Sequence, residues 1–92
     1  MKFQLGKVVM TKRIAEQMTV NSVFEKDIQD ALLKYCKCDW GVLCEDDKAV
    51  NDYAVKDGGY RIFAAYETSE GNIWIITEAD RSATTILWPD EY

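Results

Sequence analysis

Residues 60–88 read YRIFAAYETSEGNIWIITEADRSATTILW. Three β-prone runs are separated here by two polar turns. Tyr60 to Glu67 alternates and is rich in aromatic and apolar residues. Ile73 to Thr77 is the most β-prone segment of the chain, and Ala83 to Trp88 runs until Pro89 stops it. Ser69-Glu70-Gly71-Asn72 and Ala79-Asp80-Arg81-Ser82 are the turns. Connections this short imply an antiparallel meander. Ile73, Ile75 and Thr77 share one face of the middle strand, and Trp74, Ile76 and Glu78 share the other. In the last strand Ala83, Thr85 and Leu87 oppose Thr84, Ile86 and Trp88. Both faces carry large apolar groups. Either both are covered, or one presents a Trp74/Trp88 surface to a partner.

Upstream of the meander the pattern is helical. Phe3 to Met10 reads as a strand, with Gly6 marking a bulge or a close backbone approach. Thr11 can cap a short helix carrying Ile14, Ala15 and Met18. Asn21 or Ser22 opens a second helix, and Ser22 with Glu25 fits a capping box. Val23, Phe24, Ile28, Ala31, Leu32 and Tyr35 form its apolar stripe. Residues 36–44 connect it to a third helix. That helix opens on Glu45, Asp46 and Asp47, which complement the positive helix end. Its expected buried stripe is Ala49, Val50, Tyr53 and Ala54, and Gly58-Gly59 ends it. The order strand, three helices, three strands makes the 92 residues one α+β domain. Two to three helices pack on one face of the antiparallel meander, which the first strand is free to join or not.

Composition narrows the chemistry. There is no histidine, which excludes Ser-His and Cys-His nucleophile pairs and every histidine-containing zinc site. The net charge is −5. Residues 1–45 hold seven basic and six acidic residues and 46–92 hold four and ten, so the halves carry +1 and −6. An acidic surface is unsuited to unspecific nucleic-acid binding, which needs cations against phosphates, but is steered toward a basic protein. No apolar run approaches a membrane span and the N-terminus is not a signal peptide. Three cysteines without an export signal suggest reduced thiols and a cytoplasmic protein.

The candidate chemical sites each have a plainer structural reading. Cys36, Cys38 and Cys44 follow C-x-C-x5-C and lack a fourth cysteine; Asp39 or Glu45 would have to complete a zinc site. Packing at the helix end accounts for them without metal. Glu78 and Asp80 are a carboxylate pair of the kind used in glycoside cleavage, yet with Arg81 beside them an arginine–carboxylate bond fixing the turn is the simpler role. Glu45-Asp46-Asp47 lacks the spacing and glycine of a calcium loop. Gly58-Gly59 matches no phosphate-binding pattern. No catalytic, metal or cofactor site is therefore assigned.

Asp39-Trp40-Gly41, Glu45-Asp46-Asp47-Lys48 with Asn51, and the run from Ile73 to Leu87 with Pro89 and Glu91-Tyr92 resemble a family of small uncharacterised bacterial proteins. These occur on plasmids, prophages and other mobile elements and are often named plasmid-related proteins. The resemblance implies a genomic setting and carries over no site residue. Proteins of such elements include anti-CRISPR and antirestriction inhibitors. With the charge, this points to a non-enzymatic binding protein that engages a basic, nucleic-acid-processing protein. The expected contact residues are Asp46, Asp47, Asp52, Asp57, Glu67, Glu70, Trp74, Glu78, Asp80 and Trp88. A homodimer burying Trp74 or Trp88, and a small enzyme using Glu78, Asp80 and Arg81, are the alternatives.

Overall fold

The computed structural model describes residues 3–92. The elements in chain order are β1 (Lys7–Met10), α1 (Lys12–Val20), α2 (Ser22–Cys36), α3 (Glu45–Asp57), β2 (Ile62–Thr68), β3 (Gly71–Thr77) and β4 (Ala83–Leu87), then a single 3-10 turn at Pro89–Glu91. The sheet order is β1-β4-β3-β2. The three C-terminal strands form the expected meander, with Ala65 opposite Trp74 and Ile75 opposite Ile86. The first strand does join it, parallel to β4 at the edge. Only Lys7–Met10 of the expected Phe3–Met10 strand is extended pairing. At Gly6 a Cβ would lie 2.3 Å from the Arg81 carbonyl oxygen, so the close backbone approach expected there is real.

The helices pack on one face of this sheet. Phe24, Ile28, Ala31 and Tyr35 of α2, Ile14 of α1 and Ala54 of α3 bury against Ile62, Ala64 and Tyr66 of β2, Ile73 and Ile75 of β3, and Ile86 of β4. Asn21 caps α2, its side-chain oxygen accepting from the N–H groups of Val23 and Phe24. Ser22 is already helical, so the Ser22–Glu25 capping box does not form, and Val23 is exposed rather than part of the apolar stripe. Past its C-cap, α2 turns through Cys38 in the left-handed region. The Cys38 N–H reaches the Tyr35 carbonyl and the Asp39 N–H reaches the Lys34 carbonyl, which closes the helix end.

A line of hydroxyl groups crosses the core. The Thr84 hydroxyl donates to the Leu5 carbonyl at 2.7 Å. Thr77 and Thr84 hydroxyls are 2.7 Å apart, and Tyr35 and Thr77 hydroxyls 2.6 Å apart. Because a carbonyl only accepts, the single Thr84 proton is committed to Leu5. Thr77 must then donate to Thr84, and Tyr35 to Thr77. Burial holds the Tyr35 phenol far above the ordinary tyrosine range, so it keeps the proton this direction requires. All three side chains are fully buried.

The two sheet edges differ. On the β2 edge the Asn51 side-chain amide accepts from the Phe63 N–H at 3.2 Å and donates to the Phe63 carbonyl at 2.5 Å, as a neighbouring strand would. Farther along, the Val42 N–H donates to the Ala65 carbonyl. Gly41 is needed there, since its φ is +74° and a Cβ would sit 1.9 Å from the Ala65 oxygen. Along β1, the N–H groups of Lys7 and of Thr11 just past it donate to the carbonyls of Ser82 and Ile86, so Val8 and Met10 direct their backbone groups outward along a short edge.

The far face carries Phe63, Trp74, Ile76 and Leu87. Ile76 and Leu87 are nonetheless buried, because Phe63 and Tyr92 flank Trp74 edge-on at 4.8 and 5.6 Å between ring centres. Trp88 lies on the opposite face from Trp74, stacked on Phe24 at 5.3 Å. The register pairs Trp74 with Leu87, which places Trp88 on the helix side. A joint Trp74/Trp88 surface is therefore ruled out by geometry.

Replacing Thr84 by valine keeps the shape but leaves the Leu5 carbonyl without its donor and the Thr77 proton without its acceptor. The expected cost is about 1–3 kcal/mol, read as a lower urea midpoint at unchanged slope. A midpoint equal to wild type would show that the hydroxyl line contributes nothing to stability.

Candidate interaction surface on helix α3

Helix α3 starts on three acidic residues, with no side-chain cap at Cys44, and stops where Gly58 turns into the left-handed region. It meets the sheet beside β2, through the Asn51 amide and Ala54, and these two are its buried residues. Val55 packs at the margin of the core, and most of the remaining helix lies in water. Val50 is 61% exposed, Tyr53 is 55% exposed and Ala49 is also exposed, so the expected buried stripe survives only at Ala54. Asp46, Val50, Tyr53 and Asp57 follow one another at spacings of four, three and four, which aligns them on the outward face. Tyr60, 50% exposed, lies in the segment after the helix rather than in a strand. Its ring centre is 5.6 Å from that of Tyr53. The result is an apolar and aromatic strip with carboxylates at both ends.

Arg81 fixes the end of this strip. Its guanidinium donates to the carbonyls of Tyr60 at 2.7 Å and Ala54 at 3.0 Å, and to those of Glu78 and Ala79 in its own turn. It thus ties the last turn of α3 to the segment carrying Tyr60. The arginine–carboxylate bond expected in this turn does not form, because backbone carbonyls take the donors. Asp80 instead accepts the Ser82 N–H at 2.9 Å.

The other expected contact residues are scattered. Asp46 and Asp47 are exposed in the first turn of α3, and the Asp52 carboxylate accepts the Trp40 indole N–H at 2.9 Å. Glu67 and Glu70 lie at the β2–β3 turn, where Glu70 accepts from Asn21. Glu78 and Asp80 lie at the β3–β4 turn, which an antiparallel meander puts at the opposite end of the sheet. The ten residues do not make one footprint. Trp74 lines a shallow groove of about 220 Å³ with Arg61, Phe63, Ile76 and Tyr92; the Arg61 guanidinium sits 5.1 Å from the Tyr92 ring centre and bonds its hydroxyl.

Sequence reasoning did not foresee a second cleft of about 300 Å³, between α2 and β2, lined by Asp27, Asp30, Lys34, Tyr66 and Glu67. Asp27 already accepts the Ser69 N–H there, and the Tyr66 hydroxyl donates to the Asp39 carbonyl. Burial, reinforced by the nearby Asp39 charge, keeps the Tyr66 phenol far above its ordinary range. No disulfide joins the three cysteines, and among the described residues no group of cysteine or carboxylate side chains is arranged to hold a metal ion. No helix among the described residues is long and apolar enough to cross a membrane.

Hydrogen bonds from the Ser82 hydroxyl and N–H hold the Asp80 carboxyl below the ordinary aspartate range. A carboxyl depressed in this way stabilises the fold fully above its unfolded pKa, about 4. That contribution disappears as pH falls through the lower folded value. The stability gap between wild type and Asp80→Asn should thus be wider at pH 7 than at pH 2, by urea midpoints at both; a gap equal at the two pH values would contradict it. Comparison with protein-family models, with curated proteins and with solved structures finds no match for this chain.

Proposed function

We propose that this chain is a non-enzymatic binding protein that engages a basic protein partner through the outward face of α3. The supporting observation is the strip of Val50, Tyr53 and Tyr60, exposed where a folded domain has no need of it, and bounded by Asp46, Asp47 and Asp57. An apolar, tyrosine-rich centre with a polar rim is the usual anatomy of a contact surface. The carboxylates favour encounter with a positively charged partner. The resemblance to mobile-element proteins makes a host defence nuclease, whose nucleic-acid channel is basic, the partner class to test. The chain would act as an inhibitor by occupying such a surface.

Affinity capture from a host extract carrying defence systems tests this reading. Wild type should retain a nucleic-acid-processing protein in a salt-sensitive manner. Tyr53→Ala, at a side chain that supports no part of the core, should weaken retention by about tenfold or more. Retention unchanged by Tyr53→Ala, or no such protein retained, would overturn it.

A further inference from the structure

We infer that the Tyr53/Tyr60 ring pair is a receptor for an arginine side chain, and that this guanidinium contact is the centre of the α3 surface. The inference rests on the reading of α3 as the contact surface and adds the chemistry of the group it receives.

The two rings touch each other, tilted by 53° at 5.6 Å between centres, and both are about half exposed, so the pair presents aromatic faces to solvent. A planar, weakly hydrated cation stacks on such exposed faces better than an ammonium group does. Asp57, one turn beyond Tyr53 on the same face, supplies a carboxylate at the rim. Lys56 is the cation flanking the strip, and Asp46, Asp47 and Asp57 outnumber it. The chain's own arginines nearby are committed elsewhere: Arg61 lies over the Tyr92 ring, and Arg81 donates to four carbonyls.

The ring pair is also positioned in advance. Gly58 and Gly59, both at positive φ, bend the chain back sharply enough to bring Tyr60 beside α3. Arg81 then grips the carbonyls of Ala54 and Tyr60 on the two sides of that bend. Arg81 is therefore a positioning residue: it fixes the spacing of the rings without touching the ligand, which lowers the ordering cost of binding.

Titration with hexa-arginine and with hexa-lysine at matched ionic strength, followed by NMR of the tyrosine ring signals, tests the proposal. Hexa-arginine should shift the Tyr53 and Tyr60 rings and bind about two- to fivefold more tightly than hexa-lysine. Tyr53→Phe should keep the preference, and Tyr53→Leu should abolish it. Equal binding of the two peptides, or shifts confined to the cleft of Asp27, Asp30 and Glu67, would overturn it. If Tyr53→Ala loses the captured partner while the peptides are not distinguished, the arginine receptor fails and the α3 surface stands. If the peptides are distinguished but capture is unaffected by Tyr53→Ala, the α3 surface fails as the partner site.

Discussion

The hydroxyl line from Tyr35 through Thr77 and Thr84 to the Leu5 carbonyl organises the rest of the molecule. It crosses four pieces of chain that are distant in sequence: α2, β3, β4 and the segment before β1. Apolar packing is indifferent to small slips, whereas Thr77 and Thr84 must each both donate and accept within a narrow distance. A slip of one residue in β3 against β4 would turn Thr77 or Thr84 to the other face and strand the Leu5 carbonyl. The line therefore fixes the register of the meander and the seating of α2. Through Leu5 it also sets the height at which β1 meets β4.

With the register fixed, the C-terminal turn falls into place. The Glu91 carboxylate accepts from the Thr11 hydroxyl and from the Trp88 N–H, and Arg13 pairs with Asp90. The same turn directs Tyr92 across the far face toward Trp74. The helices thus cover one face of the sheet, Phe63, Trp74 and Tyr92 partly cover the other, and the most exposed aromatic side chains besides Tyr92 collect at the end of α3.

The legible parts of the fold were those where one residue type has one use. Ile73 to Thr77 was readable as a strand because β-branched residues suit a pleated surface. Phe24, Ile28, Ala31 and Tyr35 were readable as a core stripe because the other side of α2 is charged. Helix α3 defeated the same reasoning. Its apolar residues surround it, and the contact that seats it is made by Asn51, a polar residue whose amide imitates a strand. Arg81 misled in a similar way: a cation beside Asp80 suggests a carboxylate partner, and only the folded chain brings four carbonyls within its reach. The acidic half of the candidate surface could be read from charge, as Asp46, Asp47 and Asp57. Its aromatic half could not, since Tyr53 and Tyr60 look like core and strand residues until the helix is seen to touch the sheet by so little. Face assignment of Trp74 and Trp88 likewise needed the register, which the hydroxyl line sets and no local pattern announces.

The parallel pairing of β1 with β4 has a mechanical consequence. Lys7 lies beside Ala83 and Met10 beside Ile86, so the chain enters at one end of this strand pair and leaves at the other. Tension applied at Phe3 and at Tyr92 would draw the two strands past each other lengthwise. Their hydrogen bonds would then carry the load together, rather than opening one after another like a zip. In this geometry the pair would resist a lengthwise pull better than a sideways peeling of β1 from the sheet.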